Sequence, residues 1–187
     1  MTLRLLLPLS LLTAVPAFAQ PAAIPSWTVV QAQSKLGFAA TMEGQGFTGN
    51  FSRWTARIRF DPANLAASRV AVVIDTASAR TGDGSRDEAL PTDDWFASGR
   101  FPQAIFQAAS FRNLGGNRYS ASGTLRIRDK TVPVTLPFTL TIAGNTATMR
   151  GSATIDRRAF GIGAGEAGAA VGPTVRVDVA VVAKRAG

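Results

Sequence analysis

Two adjacent carboxylate pairs, Asp87-Glu88 and Asp93-Asp94, stand out in this 187-residue chain, and general acid–base or metal-assisted hydrolysis is the chemistry such groups could perform. That chemistry needs carboxylates that converge at defined separations. Here both pairs fall where short helices are expected to start, and caps and the helix dipole account for acids at such places. His and Cys are both absent. Their absence removes the commonest general base and the commonest zinc ligands, and excludes Ser-His-Asp and Cys-His catalysis. The glycines of Gly161-Ile162-Gly163-Ala164-Gly165 form no phosphate loop, since no Lys-Ser/Thr follows them, and they read as a flexible connection between the last two strands. A non-enzymatic protein is therefore expected, with no cofactor and no metal.

Two neighbouring opposite charges remain, Arg86-Asp87 and Asp156-Arg157. Arg86 and Arg157 are candidate contacts for the polar or phosphorylated head of a ligand. The alternative is structural: each Asp anchors a loop by accepting backbone N–H groups while the Arg pairs across a barrel mouth.

The elements that must position these residues are strands. Trp54, Ala56, Ile58 and Phe60 alternate with Arg53, Thr55, Arg57 and Arg59, and Val70, Val72 and Ile74 repeat the pattern. Tyr119, Ala121, Gly123, Leu125 and Ile127 oppose Arg118, Ser120, Ser122, Thr124, Arg126 and Arg128. Val134 to Ile142, Ala147 to Ile155 and Val175 to Val181 show the same period of two. Strict alternation marks half-buried antiparallel strands. With Trp27–Val30, Lys35–Met42 and Ala104–Arg112 the count reaches about eight or nine. Asp61-Pro62, Gly115-Gly116-Asn117 and Ala143-Gly144-Asn145 supply hairpin connections. The fold class is all-β, a sandwich or a closed barrel, and eight strands in a barrel enclose room for one small ligand.

Residues 81–102 break the rhythm. Ser85-Arg86-Asp87-Glu88 has the form of a capping box, Pro91 stops the helix it starts, and Thr92 is placed to cap a second short helix. Leu90, Trp95 and Phe96 are the apolar residues of this segment, which is expected to form a lid at the barrel mouth.

Small residues at inward positions, namely Ala56, Ala121, Gly123, Ala147, Gly151 and Ala153, leave volume that a solid core would fill. Two readings stand. One is an apolar lumen lined by Phe38, Trp54, Phe60, Phe106, Leu125, Phe138, Leu140 and Met149, with Leu90, Trp95 and Phe96 from the lid, Gly123 and Gly151 as small wall positions, and Phe160. The other is a filled, non-catalytic barrel with a structural or interaction role, in which small and large residues alternate to fit the taper.

The first residues carry a secretory pattern: Arg4, an apolar run from Leu5 to Val15, and Ala17-Phe18-Ala19 before Gln20. A signal peptide over 1–19 and a single domain over 20–187 are expected. A cysteine-free exported protein points to a bacterial periplasm. The formal net charge is +8. Export argues against nucleic acid as the partner, which leaves two readings of the basic balance: transient contact with an anionic membrane surface, or a solubilising charge with no partner.

Several motifs, in order, carry a resemblance. Thr81-Gly82, Arg86-Asp87, Leu90 and Asp94-Trp95-Phe96 come first, followed by Phe101-Pro102 with Phe106. Gly123-Thr124-Leu125-Arg126-Ile127 precedes Thr131, Pro133 and Val134, and then come Asp156-Arg157 with Phe160-Gly161, and Val171-Gly172 before Val175. In these residues, from Trp27 to Ala183, the chain resembles the YceI-like family of periplasmic polyisoprenoid-binding proteins. The resemblance implies an extended, lipocalin-like antiparallel barrel whose tunnel binds a long isoprenoid chain, with no catalysis, and the expected function is a periplasmic carrier or reservoir for a polyisoprenoid or isoprenoid-quinone-like lipid. The chain departs from the family pattern at Gln33-Ser34 and Thr41-Met42, where a His is frequent, and at Trp95, Phe101 and Asp129.

Overall fold

The computed structural model describes residues 23–186, so the expected leader over 1–19 and its cleavage site lie outside the described residues. Among the described residues there are eleven antiparallel strands, two more than the alternation predicts, the additions being β3 and β6: β1 (Ser26–Val29), β2 (Lys35–Met42), β3 (Gln45–Phe51), β4 (Trp54–Arg59), β5 (Arg69–Asp75), β6 (Ala79–Arg80), β7 (Gln103–Gly115), β8 (Arg118–Ile127), β9 (Lys130–Ala143), β10 (Thr146–Asp156) and β11 (Thr174–Arg185). Eight of them close a barrel in the order β1-β4-β5-β7-β8-β9-β10-β11, with β11 returning to β1. Closure removes the unpaired edges that an open sheet would present.

The remaining three strands extend the barrel at one end. Both β1 and β2 pair with β11, at Trp27↔Arg185 and at Val177↔Phe38 respectively. They are one long strand interrupted by a single 3-10 turn, Gln31–Gln33. Ser34 fixes the break: its hydroxyl accepts the Val182 N–H at 3.0 Å and donates to the Val30 carbonyl at 2.9 Å. Pairing of β2 with β3, and of β3 with the short β6, continues the wall as a flap.

Residues 81–102 sit over that end. One helix forms, α1 (Gly84–Ala89). Its N-cap is Asp83, whose side chain accepts the Arg86 N–H at 3.0 Å, and not Ser85 as the capping-box spacing predicts. The second helix does not form. The Thr92 hydroxyl turns back to the Ala89 carbonyl at 2.7 Å instead of capping forward, and the chain continues through turns to Phe101.

Two apolar clusters occupy the interior. The first joins Leu36, Phe38, Trp54, Ile74, Phe96, Leu125, Ile127, Phe160 and Ile162 near the covered end. The second joins Trp27, Phe60, Tyr119, Ala121, Leu136 and Phe138 near the other end.

Candidate functional site

Between these clusters lies a cavity of about 270 Å³ whose wall exposes no polar atom. Trp54, Ala56, Ile58 and Phe60 line it from β4, Val134 to Ile142 from β9, and Val175 to Ala183 from β11. The nine residues from Val175 to Ala183 span about 27 Å of strand, or about 20 Å along a barrel axis at the usual tilt of about 40°. Val175, Val177, Val179 and Val181 point inward yet are only half-buried. An inward side chain of a closed barrel keeps accessible surface only if it faces open volume, so the interior is hollow along β11 rather than solid.

The end away from the lid is plugged by aromatic rings. Phe60 lies 5.3 Å from Phe111, 5.8 Å from Tyr119 and 6.2 Å from Phe138 between ring centroids, all at steep angles. Tyr119 and Phe138 stack at 5.6 Å. The Trp27 indole N–H donates to the Phe60 carbonyl at 2.9 Å, which ties β1 to the end of β4.

The other end is covered by Phe47 and Phe51 of the flap and by Leu90, Trp95 and Phe96. Phe51 bridges the two groups, 5.5 Å from Phe38 and 5.8 Å from Phe96. Leu90 and Trp95 are half-buried, in keeping with a cover that meets solvent on one side and the lumen on the other. The Asp87 carboxylate holds the base of this lid by accepting the Thr81 N–H at 2.6 Å, the Thr81 hydroxyl at 2.7 Å and the Gly82 N–H at 3.3 Å. Those bonds, led by the Thr81 N–H, keep the Asp87 pKa below the usual carboxylate range.

Among the described residues, Arg157 is the one charged residue in the cavity lining, and it is 5% exposed. Its five N–H donors all go to backbone carbonyls: Nε to Gly172, one terminal nitrogen to Ile162 and Gly163, the other to Gly168 and Val171. The Gly-rich connection is therefore wound around a guanidinium. Gly161 closes the preceding turn at φ +69°, a left-handed conformation that glycine adopts without strain. The guanidinium also lies 5.9 Å from the Trp95 ring.

The predicted headgroup role of Arg157 does not hold, because no donor is left for a ligand. Its neighbour Asp156 pairs with Arg158 at 2.7 Å, and that guanidinium together with the Arg158 N–H holds the Asp156 pKa down at about 2. Arg86 is also occupied locally. It lies 4.9 Å over the Phe47 ring and 3.7 Å from the Asp83 carboxylate. Both Asp residues anchor their loops as the structural alternative expects, but neither Arg pairs across the mouth: Arg86 stays with Asp83 and Phe47, and Arg157 binds backbone carbonyls.

Of the predicted lumen residues, Phe38, Trp54, Phe60, Leu90, Trp95, Phe96, Phe106, Leu125, Phe138, Leu140 and Met149 line the cavity. Three do not. Phe160 is 1% exposed and packs within the apolar cluster of the covered end without lining the cavity. A Cβ at Gly123 would meet the Gln107 carbonyl oxygen of β7, next to the bulge at Ala108/Ser110. At Gly151 it would meet the Pro137 oxygen at 2.8 Å and the Phe138 Cβ at 2.9 Å. Both glycines permit close approach of a neighbouring strand, and neither opens the lumen.

Sequence reasoning missed Phe47 and Phe51 because Gly46 and Gly49 obscure the alternation of β3, although Phe47, Gly49 and Phe51 share one face. It also missed Arg128, whose guanidinium donates to the Gly161 carbonyl at 2.6 Å and to the Trp95 carbonyl at 3.3 Å. Arg128 sits at φ +55° in the β8–β9 turn, a strained position for a side-chain-bearing residue, and these bonds offset that strain.

Comparison with known proteins gives this architecture its relatives. The family model described as the YceI-like domain matches residues 27–183. A UPF0312 protein of Vibrio vulnificus is 30% identical over 137 residues, covering 73% of this chain and 72% of that protein. A UPF0312 protein of Vibrio parahaemolyticus is 28% identical, and the match spans 61% of each chain's length. Among solved structures, BcnA of Burkholderia cenocepacia superposes with a TM-score of 0.78 at 33% identity, over 82% of this chain and 98% of that one. A polyisoprenoid binding domain from Saccharophagus degradans superposes with a TM-score of 0.69 at 16% identity, over 88% and 99%. With its described barrel running from Ser26 to Arg185, this chain belongs to the YceI-like domain family.

Proposed function

We propose that this protein holds one long, thin apolar lipid, a polyisoprenoid or isoprenoid quinone, in the barrel lumen, as a periplasmic carrier or reservoir. The observation that carries this reading is the hollow interior: a cavity of about 270 Å³ with no polar atom exposed in its wall, capped by a lid and plugged by aromatic rings. Each buried methylene contributes about 0.8 kcal/mol, so several isoprene units bind firmly without headgroup recognition. Ordering the flexible chain offsets part of that gain. The engagement of all five Arg157 donors fits a guest recognised by shape and apolar contact rather than by charge.

Similarity to the Saccharophagus degradans polyisoprenoid binding domain supports the class of guest. The order of Arg4, the apolar run and Ala17-Phe18-Ala19 supports export, with the mature chain beginning at Gln20. The carboxylates support binding rather than catalysis, since Asp83, Asp87 and Asp156 are engaged in capping and loop bonds. Titration with an isoprenoid quinone tests the proposal, because Trp27, Trp54 and Trp95 all line the lumen. Quenching of tryptophan fluorescence that saturates at one quinone per chain is the expected result. Absence of saturable quenching overturns the reading.

A further inference from the structure

The plugged end of the barrel carries an unusual surface. Its β7–β8 hairpin projects past β5 and ends in Leu114, which is 48% exposed and is the one large apolar residue this exposed among the described residues. Arg112 and Arg118 flank Leu114 on the two arms of the hairpin. Phe111 anchors the hairpin's base against Phe60 at 5.3 Å, so the tip has a fixed place beside the plug.

Around that tip lie more cations. Arg59 and Arg69 are opposite each other in the register of β4 and β5, and Arg69 also holds the turn before β5 by donating to the Ala66 and Ser68 carbonyls. Lys184 and Arg185 pair with Thr28 and Trp27 on the adjoining strand. All six basic residues are exposed, and none forms a salt bridge among the described residues. Asp61 is the only acid at this end.

The acids are gathered at the opposite end. Nine of the chain's 12 acidic residues sit at the lid end: Glu43, the five acids from Asp83 to Asp94, Asp129, Asp156 and Glu166. Asp75 and Asp178 are on the wall and pair with Arg53 and Arg176. Seven bases share the lid end (Arg80, Arg86, Arg100, Arg128, Lys130, Arg157 and Arg158), leaving it slightly negative, whereas six bases and one acid leave the plugged end strongly positive, and that positive pole carries an exposed leucine.

We infer that the plugged end is a docking surface for an anionic lipid bilayer, with Leu114 entering the headgroup layer and Arg59, Arg69, Arg112, Arg118, Lys184 and Arg185 meeting lipid phosphates. Basic residues near an anionic leaflet each strengthen attachment, and an apolar side chain at the centre of such a surface gains by leaving water. A nucleic acid would use the cations but has no use for a projecting leucine. Docked this way, the barrel directs its lid away from the bilayer. This inference stands apart from the lipid-in-lumen reading, because the surface and the cavity share no exposed residue.

Vesicle binding tests it, using the protein recovered after expression of the full chain. The parent should sediment with phosphatidylcholine vesicles that contain phosphatidylglycerol and much less with pure phosphatidylcholine vesicles. Salt should weaken the binding. Arg112→Glu with Arg118→Glu should weaken it by about tenfold or more, whereas the charge-matched pair Arg100→Glu with Lys130→Glu at the lid end should change it far less. Because the chain has no Cys, Leu114→Cys can carry a single environment-sensitive dye. Its emission should shift to the blue with the anionic vesicles, and the same dye at Glu88→Cys should not. Equal losses in the two double variants, or a shift at position 88 and none at 114, overturns the inference. So does tighter binding to a duplex oligonucleotide than to phosphatidylglycerol vesicles at the same salt concentration.

Discussion

At the scale of single residues, Arg157 and Asp87 organise the covered end without touching a guest. Truncating Arg157 leaves five carbonyls of a compact loop without their donor. Each buried unsatisfied acceptor costs about 1–3 kcal/mol. Arg157→Met should therefore destabilise the fold by at least about 3 kcal/mol in denaturant unfolding, even after water reaches some of the carbonyls. Arg157→Lys should recover little, since an ammonium cannot reproduce the planar fork.

Asp87 gives a pH dependence with a definite sign. Its folded pKa is depressed, so the lock on Thr81 and Gly82 is in place above the pKa of the unfolded chain and is lost as pH falls through the folded value. Release of a bound lipid should accelerate in strong acid, and Asp87→Asn should reproduce part of that acceleration at neutral pH. Stopped-flow release measurements across pH check both. The sequence made the Asp-Arg motifs visible but left two roles open for their arginines. The difference lies in where five carbonyls of a Gly-rich loop point, and residue types do not encode that.

At the scale of elements, lid and plug are built differently. The plug is four aromatic rings, three of them on strands, and its centre is Phe60, which is 6% exposed and lies just past the end of β4. Phe60→Ala should cost about 3–5 kcal/mol of stability, the usual penalty for truncating a buried aromatic. The lid is one short helix and a series of turns held by Asp87, by Arg128 and by the bond from the Gly163 N–H to the Asp94 carbonyl. Trp95 is half-buried there. Trp95→Ala should speed lipid release by about tenfold while lowering stability less than Phe60→Ala does, since loss of about 1.4 kcal/mol of contact is a factor of ten. Loss of several kcal/mol of stability with unchanged release would make Trp95 core instead.

The strands were legible because alternation is a direct record of a two-sided sheet. The lid was legible only as a break in that rhythm. Its second predicted helix fails because Thr92 bonds backward to Ala89, a choice that local composition leaves open.

At the scale of the whole molecule, closure of eight strands turns an ordinary alternating pattern into a container. Alternation identified the inward face of every barrel strand it covered, including Ala56, Ala153 and the valines of β11. It could not report how closely neighbouring backbones approach. Gly123 and Gly151 have the correct parity yet mark close strand contact, so filling them would break the sheet rather than the lumen. Ala56→Phe and Ala153→Phe are the proper filling changes, because both residues line the cavity. Each should cost no more than about 1–3 kcal/mol and leave the barrel folded, while together they should remove lipid uptake. Val177→Phe gives the same test from a third strand.

The most direct measurement is a native mass spectrum of gently purified protein. The parent should carry a single added mass that dissociates as one apolar lipid. The Ala56→Phe, Ala153→Phe variant, folded by circular dichroism, should appear at the mass of the bare chain. A parent that flies only as the bare chain and takes up no isoprenoid when offered one would contradict the account. So would a folded, filled variant that keeps the adduct.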